Sequence, residues 1–236
     1  MDRAITIFTT ILPGSLKIGV LLAMKERMQF HSCDRLDGTV ETLSRHQCLV
    51  YEGEPSRRLP GLAVAVRDRL LEGYRCLYFN SPPMIAELRS CLAATGVDVA
   101  TEEAKASIVL SSERHHLQGG CFDLERMIGT LESALDQALA DGYQGLWATG
   151  DMTWEMGPDK DFSKLIEYEW RLERFFEQHP EMSGVCQYHK DTLPRRALWQ
   201  GLRSHRTTFI NETISIVNPY YLYDEDATML LDSAIR

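Results

Sequence analysis

Past residue 45 the chain alternates between two kinds of pattern. Short, nearly uniformly apolar runs occupy residues 48–51, 76–79, 108–110, 145–149 and 185–188, and such runs read as strands covered on both faces. Between them, apolar residues recur at helical spacing. Residues 122–140 carry the clearest case: Leu124, Met127, Ile128, Leu131, Leu135, Ala138 and Leu139 form one stripe, with Asp123 as N-cap and Gly142 as the stop. Helix starts are also expected at Ser81-Pro82-Pro83 and at Asp161, and a further helix over residues 194–203. Residues 207–211 and 213–217 read as a hairpin closing one edge.

Alternating β and α units with right-handed crossovers predict an α/β fold: a three-layer, mostly parallel sheet with helices on both faces, and ligands favoured at the carboxyl ends of the strands. The first 45 residues lack this rhythm. They offer a β-like piece, a Pro-Gly break at Pro13-Gly14, a helix-like run over residues 16–28 and a polar linker. The expected organisation is an extension over residues 1–45, one domain over 46–223 and a tail over 224–236.

Charge narrows the partners. Thirty-four acidic against 25 basic side chains give a net charge of −9, a field that repels polyanions, so direct nucleic-acid binding is not expected. The apolar stretch of residues 4–24 is interrupted by Pro13, Gly14 and Lys17, which fits neither a membrane span nor a signal peptide. The six cysteines form no CxxC pair, and Cys48, Cys76 and Cys186 fall in strand-like runs where a thiol behaves as a small buried hydrophobe. A reduced, cytoplasmic protein without metal or cofactor is the expectation.

The loop after the first strand reads EGEPSRRLPG. A phosphate-binding loop needs glycine N–H groups, a lysine and a Ser/Thr. This loop has no GK[ST]; Glu52 and Glu54 repel phosphate, its prolines donate no N–H, and only Arg57 and Arg58 offer cationic side chains. Walker A is absent. A second cluster, GLWATGDMTW, ends a strand at Asp151 with Trp154 beside it, where the acid serves either as a helix cap or as a site residue. In DFSKLIEYEWRLERFF, Glu169 projects into an apolar face and must be paired, hydrogen-bonded or protonated. GVCQYHKD ends a strand at Tyr188 and His189, with His205 after the next helix. His115 and His116 lack an acidic partner at metal spacing and read as loop surface.

Taken together, HQCLVYEGE (46–54), GYRCLYF (73–79), GLWATGDMTW (145–154), LIEYEWRLE (165–173), GVCQYHKD (184–191) and NPYY (218–221) resemble the MEDS domain, a sensory domain of methanogen and methylotroph regulators, among them a dichloromethane-responsive repressor. The resemblance implies a RecA/KaiC-like fold that has lost its P-loop and serves as a ligand-sensing module. It also implies partners among histidine kinases, anti-sigma factors and transcription regulators.

The leading expectation is therefore a non-catalytic sensory domain binding a small organic ligand, a hydrocarbon or halocarbon derivative, and signalling through a partner protein. Its expected ligand-binding residues are Tyr51, Glu52, Arg57, Arg58, Asp151, Trp154, Glu169, Tyr188 and His205. Two alternatives stay open: a degenerate RecA-like nucleotide-binding protein or ATPase using Arg57 and Arg58, and an interaction protein that docks a partner or forms a homo-oligomer.

Overall fold

A computed structural model describes residues 45–211 and 214–222. The elements expected within residues 1–44, and the tail from 223, lie outside the described residues. In chain order the elements are β1 (His46–Tyr51), a 3-10 turn (Pro55–Arg58), α1 (Leu59–Leu71), β2 (Arg75–Phe79), α2 (Pro82–Ala94), α3 (Val99–Ala104) and β3 (Ile108–Ser111). Then follow β4 (Leu117–Gln118), β5 (Cys121–Phe122), α4 (Leu124–Ala140), β6 (Leu146–Asp151) and α5 (Met152–Glu155). The described part closes with α6 (Leu165–Gln178), β7 (Met182–His189), α7 (Arg195–Ser204), β8 (Thr207–Asn211) and β9 (Ile214–Val217).

The main sheet has the order β3-β2-β6-β7-β1-β8-β9. Its first six strands run parallel, and β9 returns antiparallel to β8 as the expected edge hairpin. The five strands read from apolar runs are all present, and the layered α/β architecture follows.

Strand alternation sorts the side chains onto two faces. One face carries Cys48, Leu77, Phe79, Leu146, Ala148, Met182, Cys186 and Tyr188, packed with residues of α4, α6 and α7. The other carries Cys76, Tyr78, Ile108, Trp147 and Val185 beneath α1 and α2. Each central strand is thus buried on both sides, which is why its sequence is apolar at nearly every position.

The α4 stripe buries Leu124, Met127, Leu131, Leu135 and Ala138. Asp123 accepts a hydrogen bond from the Arg126 amide, and Gly142 ends the turn at φ +87°. Leu139, expected in the stripe, lies at its margin and is 41% exposed. The helix expected from Asp161 begins later, at Leu165. Asp161 instead accepts from the Ser163 amide, closing a local turn that competes with helix initiation. Helix α3 and the β4–β5 hairpin are too short to impose a readable period.

Candidate functional site

The carboxyl ends of β1, β6 and β7 bring Tyr51, Asp151 and Gln187 side by side, through the registers Tyr51 with His189 and Asp151 with Gln187. Arg58 reaches over them from the 3-10 turn. Its Nη2 donates to Asp151 Oδ2 (2.7 Å), Nε to Gln187 Oε1 (2.6 Å) and Nη1 to the Pro55 carbonyl (2.5 Å). Its guanidinium carbon stands 3.8 Å from the Tyr51 ring centroid. Tyr51 also donates to Asp151 Oδ2 (2.5 Å), while Oδ1 caps α5 by accepting from the Thr153 amide (2.9 Å). Asp151 is therefore both cap and ion-pair partner. Burial, and then the Asp151 carboxylate, push the Tyr51 phenol far above its ordinary value.

Two amides of the loop between β1 and α1 are engaged by the protein itself. The Gly53 N–H donates to Asp191 Oδ2 (2.7 Å) and the Arg57 N–H to the Glu54 carbonyl (3.1 Å). Glu52 is exposed and pairs with Lys190, and Arg57 is exposed as well.

A second polar group is sealed on the other face of the sheet. His46 of β1, Cys186 of β7, Glu169 and Glu173 of α6 and His205 beyond α7 are all buried, with His46, Glu169 and His205 fully so. His46 Nε2 lies 3.3 Å from Glu169 Oε2 and 3.4 Å from Cys186 Sγ; His205 Nε2 lies 3.5 Å from the same Glu169 oxygen. His46 Nδ1 donates to Glu173 Oε2 (2.9 Å), His205 Nδ1 donates to the Gly201 carbonyl (2.7 Å), and Glu169 Oε1 accepts from Tyr188.

These contacts govern ionisation. Burial alone would lower His46, but the Glu169 and Glu173 carboxylates outweigh it and raise the imidazole to about 9. His205 goes the other way, to about 4, because burial and the His46 charge both disfavour its cation. Burial also opposes ionisation of Glu169, yet the two histidines and Tyr188 hold its carboxyl below the ordinary range.

Beside this group lies a cavity of about 30 Å³, lined by Phe79, Leu131, Met152, Leu172, Phe176 and Glu155 among others. Glu155 is 2% exposed. Burial, then the neighbouring Glu169 and Asp151 charges, push its carboxyl well above the usual range. A Cβ on Gly150 would fall 1.5 Å from Glu155 Oε1, so only glycine admits the carboxyl there.

The nine residues expected at one ligand site fall into groups. Tyr51, Arg58 and Asp151 meet at the strand ends, whereas Glu169, Tyr188 and His205 meet beneath α6 and α7. Trp154 is buried against His116 and under Arg114, and Glu52 and Arg57 stand outside both groups. His116, expected on the loop surface, is 2% exposed and donates from Nε2 to the Glu155 carbonyl (2.8 Å). The short turn that carries it folds back onto Trp154 and Phe122.

Sequence reasoning missed His46, Glu155 and Cys186 as site residues. His46 sits two residues before Cys48, on the same strand face, and that alternation is the one local signal available.

No curated protein matches the chain. A family model described as the methanogen/methylotroph, DcmR sensory domain, MEDS, matches residues 45–206, more than half of the sequence. This match, over some two thirds of the sequence, shows that the chain belongs to the MEDS family of sensory domains.

Proposed function

We propose that the domain is a non-catalytic sensor of an organic ligand of only a few non-hydrogen atoms, and that it reports occupancy to a signalling partner protein. The observation that carries this reading is the mostly apolar cavity that Gly150 and Glu155 help to line. Its 30 Å³ contrasts with the roughly 150 Å³ that accommodates benzene in an engineered protein cavity, which favours one- or two-carbon compounds. The Glu155 carboxyl and the Tyr168 hydroxyl, which donates toward it at 3.5 Å, supply the polar contact such a ligand needs.

Strand β6 links this cavity to the strand-end cluster. Gly150 and Met152 border the cavity while Asp151, between them, holds Arg58. A ligand pressing on Gly150 or Met152 therefore bears directly on the grip between Asp151 and Arg58. Kinases, anti-sigma factors and transcription regulators are the proposed partner classes. Arg58, each of whose three side-chain nitrogens donates to a protein group, argues against the alternative of a phosphate-binding arginine.

Thermal-shift measurements with one- and two-carbon alcohols and halocarbons, benzene and Mg-ATP test the proposal. Stabilisation by the smallest compounds alone is expected, and its loss in Leu131→Phe would locate them in the cavity. Stabilisation by Mg-ATP that is lost in Arg58→Ala would overturn it in favour of nucleotide binding.

A further inference from the structure

We propose that His46 Nε2, Glu169 Oε2, Cys186 Sγ and His205 Nε2 form a four-ligand site for a divalent transition-metal ion of the zinc class, sealed between the sheet and helices α6 and α7. This assignment is independent of the organic ligand.

Spacing is the first support. The four ligand atoms lie within 4.8 Å of one another. Of the three distances quoted above, the two N···O separations, 3.3 and 3.5 Å, are long for hydrogen bonds, while the N···S separation of 3.4 Å is an ordinary one. These three match edges of a tetrahedron whose centre-to-ligand bonds are about 2.0–2.3 Å, which are about 3.3–3.8 Å long, and the remaining pairs, none beyond 4.8 Å, close in as the metal enters.

Lone-pair direction is the second. Nδ1 of His205 is committed as a donor to the Gly201 carbonyl, so Nε2 of the neutral ring carries a lone pair. That lone pair faces Glu169 Oε2, an acceptor, and neither atom has a hydrogen-bond partner. Two buried acceptors facing each other are costly unless a cation is close, a place that the His46 imidazolium, 3.3 Å from the same oxygen, takes in the metal-free protein and the metal ion takes in its stead.

The third support is the outer shell. Ligating imidazoles characteristically donate their second nitrogen to a carboxylate or carbonyl, which fixes tautomer and orientation. Here His46 uses Glu173, His205 uses Gly201, and Glu169 is oriented by Tyr188. Glu173 is in turn held by Arg206 Nε at 3.0 Å. Two nitrogens, one sulfur and a single carboxylate suit zinc, cobalt or iron(II), whereas magnesium and calcium demand mostly oxygen ligands.

Binding requires that His46 and Cys186 each release a proton as the metal enters, so the ion replaces the imidazolium as counter-charge to Glu169.

The test uses the full-length, untagged chain stripped with a chelator and titrated with cobalt(II), then with zinc as competitor. One cobalt per chain is expected, with intense visible bands of tetrahedral coordination and a near-ultraviolet thiolate-to-cobalt band. Zinc should abolish both, and magnesium should leave them unchanged. Cys186→Ser should remove the thiolate band while Cys121→Ser retains it. Should the buried ligand variants misfold, Glu173→Gln, outside the coordinating set, is expected to weaken zinc binding by about 10- to 100-fold. A folded wild-type chain without cobalt bands, or a thiolate band that survives in folded Cys186→Ser, would overturn the assignment.

Discussion

The Arg58 guanidinium lies over the Tyr51 ring while binding the same Asp151 oxygen that accepts the Tyr51 hydroxyl. One carboxylate oxygen thus serves two donors that also touch each other as cation and ring, which makes the strand-end cluster a closed unit. Arg58 and Asp151 side chains are 9% and 6% exposed, so truncating one strands the other. We expect Arg58→Ala to destabilise the fold by about 3–5 kcal/mol. Replacing both partners, as Arg58→Met with Asp151→Asn, should cost less than Arg58→Ala alone. Urea denaturation measures both, and a double variant no better than the single would contradict the pairing.

Gly201 permits α7 to lie against the Tyr188 ring; an added Cβ would meet ring carbons at 2.4–2.5 Å. In an open helix, Gly→Ala stabilises by about 1 kcal/mol. Here overpacking should win, and Gly201→Ala should lose about 1–3 kcal/mol in the same assay. A more stable variant would show that α7 can shift away from the sheet.

Burial holds His116 below the ordinary imidazole value of 6.5, with the Glu155 carbonyl opposing and the Arg114 and His115 charges assisting. The unfolded chain therefore takes up the proton first as pH drops. His116 contributes stability above about pH 6.5 that is lost as pH falls through its lower folded value. His116→Gln should flatten that part of the stability profile. Thermal melts from pH 8 to pH 5 check it; a slope identical in both proteins would remove His116 from the acid sensitivity.

Leu131 lines the cavity and is 4% exposed. Leu131→Ala should cost about 2–5 kcal/mol and enlarge the space by the lost side chain. The enlarged cavity should then admit benzene-sized molecules, visible as a thermal shift absent from the wild type. A thermal shift by benzene in the wild type itself would show that the cavity is already larger than the proposed ligand class requires.

Periodicity made the scaffold legible because each buried strand and amphipathic helix repeats its own pattern. Asp123, Gly142 and the Ser81-Pro82-Pro83 start were readable for the same local reason. Glu169 could be flagged because a carboxylate in an apolar helical face needs a partner. Its partners could not be named: His46, Cys186 and His205 are brought together by the pairing of β1 with β7 and by the packing of α6 and α7 over that pair. Metal spacing along the chain gives no hint of a set drawn from positions 46, 169, 186 and 205. His116 misled for a related reason, since the short turn that buries it carries no period of its own.

Gly150 and Asp151 are neighbours in the chain, yet they look toward opposite sides of the sheet. Deleting or inserting one residue within β6 would exchange them, driving an anion into the apolar hollow and removing the counter-charge of Arg58. Substitutions can therefore tune either side of this strand separately, while changes in its length damage both at once.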